Sequence, residues 1–392
     1  MMWAIWGFPC HPFRKMKDGM WKFSQGCLGM DRWDELNQLF NKTGVIVTFG
    51  LNALYGRHKI GKGVYGDVYG GAWNSSNTRS FINYTISKGY RVDSWELGNE
   101  LSNGFGASVD GGAEQYGKDL ITLKAILRDL YKGSHQQPLL LAPGGFYDQK
   151  WYNKLLQVSG TNVADVLTHH IYNLGAGDDP HVKSKILDPH YLSQISEIYK
   201  ELQLTIQRHG PWATAWVGES GGAYNSGGRL VANHFVYSFC DEDWEDPTID
   251  RVPGIKARSF CVADAGITLL LINLSNTTEF HVTIQNGVNI NLHKGEANHR
   301  ERSSMDILKK FVTWIKKASD GSAKRQEYHL TPKDGNLLSR TMVLNGNPLV
   351  LTENGNIPAL DPVLVDANLP TSLAPYSIAF VTIPNFKAPA CT

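Results

Sequence analysis

The sequence predicts an α/β domain built on a parallel sheet covered by helices, followed by an antiparallel β-sandwich-like domain. Three observations carry this. From residue 31 to about 239, short apolar strands alternate with helix-period stretches. Those strands are nearly continuous in apolar residues, as strands buried on both faces are. After about residue 255 the pattern changes to alternating strands with little helix between them. The first two features suit a doubly wound sheet or a (β/α)8 barrel.

Five strands are legible in the first part: 45–54 (VIVTFGLNAL), 92–100 (VDSWELGNE), 139–145 (LLLAPGG), 166–173 (VLTHHIYN) and 215–222 (AWVGESGG). Between them, Tyr116, Leu120, Leu123, Leu127 and Leu130 form one helical stripe, and Leu192, Ile195, Tyr199, Leu202 and Ile206 another. Gly133 and Gly210 with Pro211 end these helices. In the second part ITLLLINL, FHVTIQ and SIAFVTI read as strands. Residues 304–318 interrupt them with a basic amphipathic helix carrying Phe311 and Trp314, suited to a membrane surface, a partner groove or packing on the sheet. Residues 241–250 hold six acids and no base, without the ligand spacing of a calcium loop, and read as a solvated linker.

A length of 392 residues with 42% apolar side chains supports a sizeable core. Lys plus Arg at 38 against Asp plus Glu at 37 leaves a net charge of +1, so no global field recruits nucleic acid. The most apolar run, near 267–272, is far short of the roughly 20 residues of a membrane-spanning helix. The start, MMWAIWGFPCHPFRKMK, lacks the basic region and cleavage site of a signal peptide. Sequons nevertheless occur at Asn41, Asn74, Asn83, Asn273 and Asn276. The five cysteines lack zinc-site spacing, which excludes a structural zinc, and allow two disulfides at most.

Two segments place a glutamate at the C-terminal end of an apolar strand: Glu100 in WELGNE and Glu219 in WVGES. A carboxylate there must be hydrogen-bonded, neutralised or used. In a closed barrel, ends three strands apart face each other across the mouth, and two facing carboxylates about 5 Å apart suit retaining glycoside hydrolysis. His170 reads equally as a satisfied core histidine. Arg57, Lys59 and Lys62 follow the first strand, as surface charge or as contacts to an acidic glycan. No metal or organic cofactor is called for.

WELGNE, FGLNALYG, LLAPGGFYDQKWY, LTHHIYNLG, PWATAWVGESGGAYNSGG and YHLTPKDGNLLSRTMVLNG together resemble the heparanase-like β-glucuronidases, in their plant-type branch. The resemblance covers residues 9 to 239 and 255 to 391 and implies a (β/α)8 barrel with a C-terminal β-sandwich. It implies Glu100 as proton donor and Glu219 as nucleophile, acting on uronic-acid-containing glycans or glycoproteins. It matches Asn99 to a residue that binds the sugar 2-hydroxyl, and Tyr172 to a hydroxyl near the nucleophile. The loop 220–228, with Gly221, Tyr224, Gly227 and Gly228, would hold a uronate carboxylate on backbone amides, or be a plain turn. The resemblance also pairs Cys261 with Cys391; Cys10 with Cys27 would make a second bridge and leave Cys240 as a thiol. Members of the family are secreted, lysosomal or vacuolar, sometimes membrane-associated.

The chain departs from the family in three places. It begins almost at CHPFRKMKDG, where relatives carry earlier barrel strands, so 1–30 reads as a truncated N-terminal segment. Residues 240–255 form an acidic linker in place of the last barrel strand and helix, between a barrel at 31–239 and a β-sandwich at 256–392. The basic helix near 303–318 is an insertion. A shortened barrel with open edges loses precision at its site, so the alternative is a catalytically impaired isoform or fragment that binds glycan at most.

Overall fold

The computed structural model describes residues 27–384, apart from 65, 103–105, 135–136, 225–226, 229–230, 241–254, 263–265 and 285–323; it describes backbone alone for 2–3, 106 and 255–262. In chain order the elements are β1 (Met2–Trp3), β2 (Cys27–Leu28), α1 (Met30–Thr43), β3 (Thr48–Leu51), β4 (His58–Lys62), β5 (Gly66–Gly70), α2 (Ser76–Ser87), β6 (Ser94–Leu97) and β7 (Gly106–Val109). Then come α3 (Gly112–Leu130), β8 (Leu139–Phe146), α4 (Gln149–Ser159), β9 (Val166–Tyr172), α5 (Val182–Ile186), α6 (Pro189–Ser193), α7 (Ile195–His209) and β10 (Thr214–Gly221). The remainder is β11 (Ile255–Val262), β12 (Gly266–Asn273), β13 (Phe280–Val282), β14 (Lys324–Pro332), β15 (Met342–Leu344), β16 (Asn347–Pro348), β17 (Val363–Asp366), β18 (Thr371–Leu373) and β19 (Ser377–Pro384). They form two compact units, Met1–Tyr172 with Ser196–Gly221, and Asn173–Ile195 with Gly222–Thr392.

The first unit is built on a five-stranded parallel sheet in the order β3-β6-β8-β9-β10. All five expected strands are there, and their spatial order equals their sequence order. Two are shorter than their apolar runs. The strand expected over 92–100 stops at Leu97 because Gly98 takes φ +76°, outside the extended region. The outer face of β3 and β6 is packed by α1 and α2 through an aromatic cluster: Trp33 lies 4.7 Å from Phe49 and 4.9 Å from Phe81, centroid to centroid, and Phe81 meets Trp95 edge-on. The expected stripe on α3 is buried at Tyr116, Leu120, Leu123 and Leu127. The second stripe is split, since Leu192 falls in the separate short helix α6.

A small sheet not expected from the sequence, β4-β5-β7, is inserted in the connections that follow β3 and β6. Its short, glycine-rich strands carry too little apolar alternation to be read as strands. By connectivity it belongs to the C-terminal side of the parallel sheet, where βα loops carry function.

The second unit is antiparallel. Six strands run β11-β12-β19-β14-β15-β16, with β17 also on β14, and a second ladder joins β13 to β18. Leu271, Leu373, Ala379 and Val381 pack together with Phe280 and Val282 between these ladders. On β14 a charged run is buried: Arg325 donates from Nε to Glu327 at 2.7 Å and from Nη1 to the carbonyls of Asp366, Ala367 and Leu369. Glu327 also receives Thr371 Oγ1 and pairs with His329. The expected linker (241–250) and basic helix (304–318) lie outside the described residues. No helix among the described residues is long and apolar enough to cross a membrane.

Candidate active site

Both strand-end glutamates are aimed by an extra residue in a neighbouring register. On β10, Val217 lies opposite His169 and Glu219 opposite His170, so Gly218 is a bulge. Side chains alternate along a strand. In a regular register without the bulge, Glu219 would fall opposite Ile171 and share the face of His169, whose ring meets Tyr199 of α7 at 5.5 Å. With it, Glu219 joins His170 on the opposite, inner face. On β8, Pro143 lies opposite Thr168 and Gly145 opposite His169, which makes Gly144 the extra residue, at φ +58°. The Gly144 carbonyl accepts the N–H of Glu100 at 2.6 Å. Glu100 itself sits at φ +53°, a left-handed conformation uncommon for a residue with a side chain.

The result is a compact constellation. His170 Nδ1 is 2.9 Å from Glu100 Oε1 and 3.7 Å from Glu219 Oε2. The Tyr172 hydroxyl donates to Glu219 Oε1 at 2.5 Å. One donor atom from each of Glu100, His170 and Glu219 lies within 4.8 Å of the other two. These are also the donor types of a metal site; here one hydrogen bond joins His170 to Glu100, and Tyr172 bonds Glu219. His170 is 3% exposed, Glu100 19% and Glu219 44%, so the pair opens to solvent above a buried imidazole.

Beneath the pair lies a third carboxyl that the sequence reading did not single out. Glu96, inside β6, accepts Thr168 Oγ1 at 2.5 Å, and Thr168 in turn accepts the N–H of Gly144 at 2.9 Å. Burial pushes the Glu96 carboxyl above its ordinary range; the Thr168 hydrogen bond and His170 oppose this, and the charge of Glu219 adds to it. The signal was available: within WELGNE, Glu96 alternates with the buried Trp95 and Leu97, so it must face away from the helices.

The remaining expected residues are distributed as follows. Asn99 is exposed between Gly98 and Glu100. Gly221, at the end of β10, packs against the Tyr172 ring, where an added Cβ would lie 3.0 Å away. Tyr224, Gly227 and Gly228 belong to the second unit. There Tyr224 forms a bridge with Ala176, Gly227 takes φ +80°, and the Gly228 amide bonds the Tyr237 hydroxyl, which also receives Ala223 N–H at 2.9 Å. Arg57 is corrected from a surface cation: its side chain is fully buried and paired with Asp119 at 2.5 Å. Lys59 is paired across its hairpin with Asp67 at 2.6 Å. Asn41, Asn74, Asn83 and Asn276 are exposed. Asn273 is corrected as a glycan acceptor, being fully buried with its amide donated to the carbonyls of Thr278, Leu373 and Ala374. Cys240 is a buried thiol and Cys27 is disulfide-bonded; Cys10, Cys391 and the Cys261 side chain lie outside the described residues.

The chain has clear relatives among known proteins. Among curated proteins, the chain is 48% identical to Heparanase-like protein 1 of Arabidopsis thaliana, over 98% of this chain and 79% of that protein. It is 33% identical to Baicalin-beta-D-glucuronidase of Scutellaria baicalensis, over 92% and 74% respectively. Among solved structures, the GH51 arabinofuranosidase from Xanthomonas axonopodis pv. citri shares the fold, with a TM-score of 0.54 at 12% identity over 89% of this chain and 78% of that one. Residues 5–244 match the family model described as Glycosyl hydrolase family 79, N-terminal domain. The chain therefore belongs to glycosyl hydrolase family 79, a family of glycosidases.

Proposed function

We propose that the chain is a retaining β-glucuronidase-type hydrolase of uronic-acid-bearing glycans, with Glu219 as nucleophile and Glu100 as acid/base. The observation that carries this is the carboxylate pair, with oxygens of Glu100 and Glu219 within 4.8 Å. Retaining enzymes hold their carboxyl groups about 5 Å apart, whereas inverting enzymes leave room for a water between them. Tyr172 occupies one oxygen of Glu219 and leaves the other for the anomeric carbon. Glu219 attacks that carbon while Glu100 gives its proton to the departing glycosidic oxygen, and a glycosyl-enzyme ester forms. Glu100, now ionised, takes a proton from water, which attacks the same carbon and releases Glu219. The name of the Scutellaria relative supports a glucuronide as substrate.

The same reading takes the five ordered strands as an arc of a (β/α)8 barrel, with Glu100 after its second strand and Glu219 at the end of its fifth. The alignment with the Arabidopsis relative runs over 438 positions, more than the 392 residues of this chain, so that relative carries residues this one lacks. Acidic polysaccharides or glycoprotein glycans are the expected substrates, a secretory route the expected location, and residues 303–318 a basis for peripheral membrane association.

One observation favours the catalytically impaired alternative. Among the described residues β10 pairs with β9 alone, and every residue from Thr214 to Ser220 is exposed, so the strand carrying the nucleophile is held from one side. Hydrolysis of 4-nitrophenyl β-D-glucuronide by the purified chain, beside Glu100→Gln and Glu219→Gln, separates the two. Activity lost in both variants, with the β-anomer of glucuronic acid seen first by NMR, supports the enzyme; a folded but inactive parent supports the alternative.

A further inference from the structure

Glu96 is not needed for the two-carboxylate chemistry, yet it is half-buried where a carboxyl is costly. No Lys or Arg contributes to its surroundings among the described residues; the groups that face it are Thr168, His170 and Glu219, with the buried hydroxyls of Tyr116 and Tyr152 near enough to feel its charge. Its carboxyl lies against the Gly144 backbone, so closely that a Cβ built there would stand 2.9 Å from Oε1 and 3.0 Å from Cδ. The hydrogen bonds run in one direction. Thr168 spends its single proton on Glu96, which turns its lone pairs toward Gly144 N–H, and the other end of Gly144 receives the N–H of Glu100.

We propose that Glu96 is a positioning residue for the proton donor: its carboxyl orders Thr168, Thr168 orders the Gly144 bulge, and the bulge holds the peptide of Glu100. The proposal rests on the glucuronidase reading only in taking Glu100 as that donor. Two features distinguish it from packing. Glu100 has a left-handed φ that its surroundings must enforce, and its N–H donates to the carbonyl of this bulge.

The test compares the parent with Glu96→Gln, Glu96→Ala and Thr168→Val, by pH-dependent kinetics on 4-nitrophenyl β-D-glucuronide and by peptide-resolved hydrogen exchange. Thr168→Val and Glu96→Ala are expected to lower kcat by about ten-fold or more with KM within about two-fold. Both should speed exchange of the amides at 144 and 100 while those of β9 stay slow. Glu96→Gln keeps an acceptor for the Thr168 hydroxyl, so it should rescue the alanine variant, with slow exchange and kcat within about two-fold of the parent. Unchanged exchange and kcat in Thr168→Val, or a Glu96→Gln variant as impaired as Glu96→Ala, would overturn the proposal. Should Glu96→Ala not fold, the other two variants decide. A parent that hydrolyses no glucuronide sinks the functional reading instead; the positioning claim then stands or falls on hydrogen exchange in Thr168→Val.

Discussion

The hydroxyl of Tyr172 donates to Oε1 of Glu219 at 2.5 Å, a contact between adjacent parallel strands brought into line by the bulge at Gly218. Hydrogen bonds to charged groups are worth about 1.5–3 kcal/mol, or roughly ten- to a hundred-fold in rate where the bond matters to the transition state. Tyr172→Phe should therefore lower kcat by about that factor with little change in KM, by steady-state kinetics. A Phe variant as fast as the parent would remove the tyrosine from the mechanism.

Gly144 has no room for a side chain, since Glu96 stands 2.9 Å from where its Cβ would be, and its φ is +58°. Gly144→Ala combines that clash with a left-handed conformation costing about 1–2 kcal/mol. It should lower stability in urea by roughly 1–3 kcal/mol and reduce kcat at least ten-fold. Gly133→Ala is the control: φ is +85° there but nothing lies within 4 Å, so stability should fall and kcat hold.

Acid should weaken the second unit through Glu327. Burial alone would raise its pKa, but hydrogen bonds from His329, Thr371 and Arg325, with the Arg325 charge, outweigh burial and hold it at about 2. Its contribution is fully present above the ordinary glutamate pKa of about 4.3 and disappears as pH falls toward 2, roughly 3 kcal/mol in all. Urea midpoints measured from pH 6 to 2 should fall through this window, and Glu327→Gln should flatten the slope while leaving Arg325 buried without its charge partner.

The first unit carries a second acid-sensitive group at higher pH. His169 is 1% exposed, and burial, then His170, hold its pKa at about 4. The unfolded chain takes up this proton near pH 6.5, so stability present above that pH is lost as it falls toward 4. His169→Leu should abolish the slope of unfolding free energy between those values; an unchanged slope would assign it elsewhere.

The five parallel strands were legible because buried strands announce themselves by apolar runs of uniform length, and the glutamates because charge at the end of such a run has few explanations. What the sequence hid was local. The β4-β5-β7 sheet is made of glycine-rich segments without alternation, and Arg57 reads as a surface cation until Asp119, 62 residues away, is found beside it. Asn273 satisfies a sequon but sits where its amide closes three carbonyls, a relation no linear pattern encodes. Glu96 was in view within WELGNE, but its role depends on Thr168 and Gly144 from two other strands.

The bulge at Gly218 decides which face of the sheet carries the nucleophile. Because Gly218 is surplus to the ladder, the site depends on strand register as much as on residue identities. Drawing Gly218 into plain alternation would keep both glutamates, the histidine and the tyrosine intact and yet turn the nucleophile toward the helix layer. A search template built on strict two-residue alternation along β10 would therefore place this glutamate on the wrong side of the sheet and pass over the site.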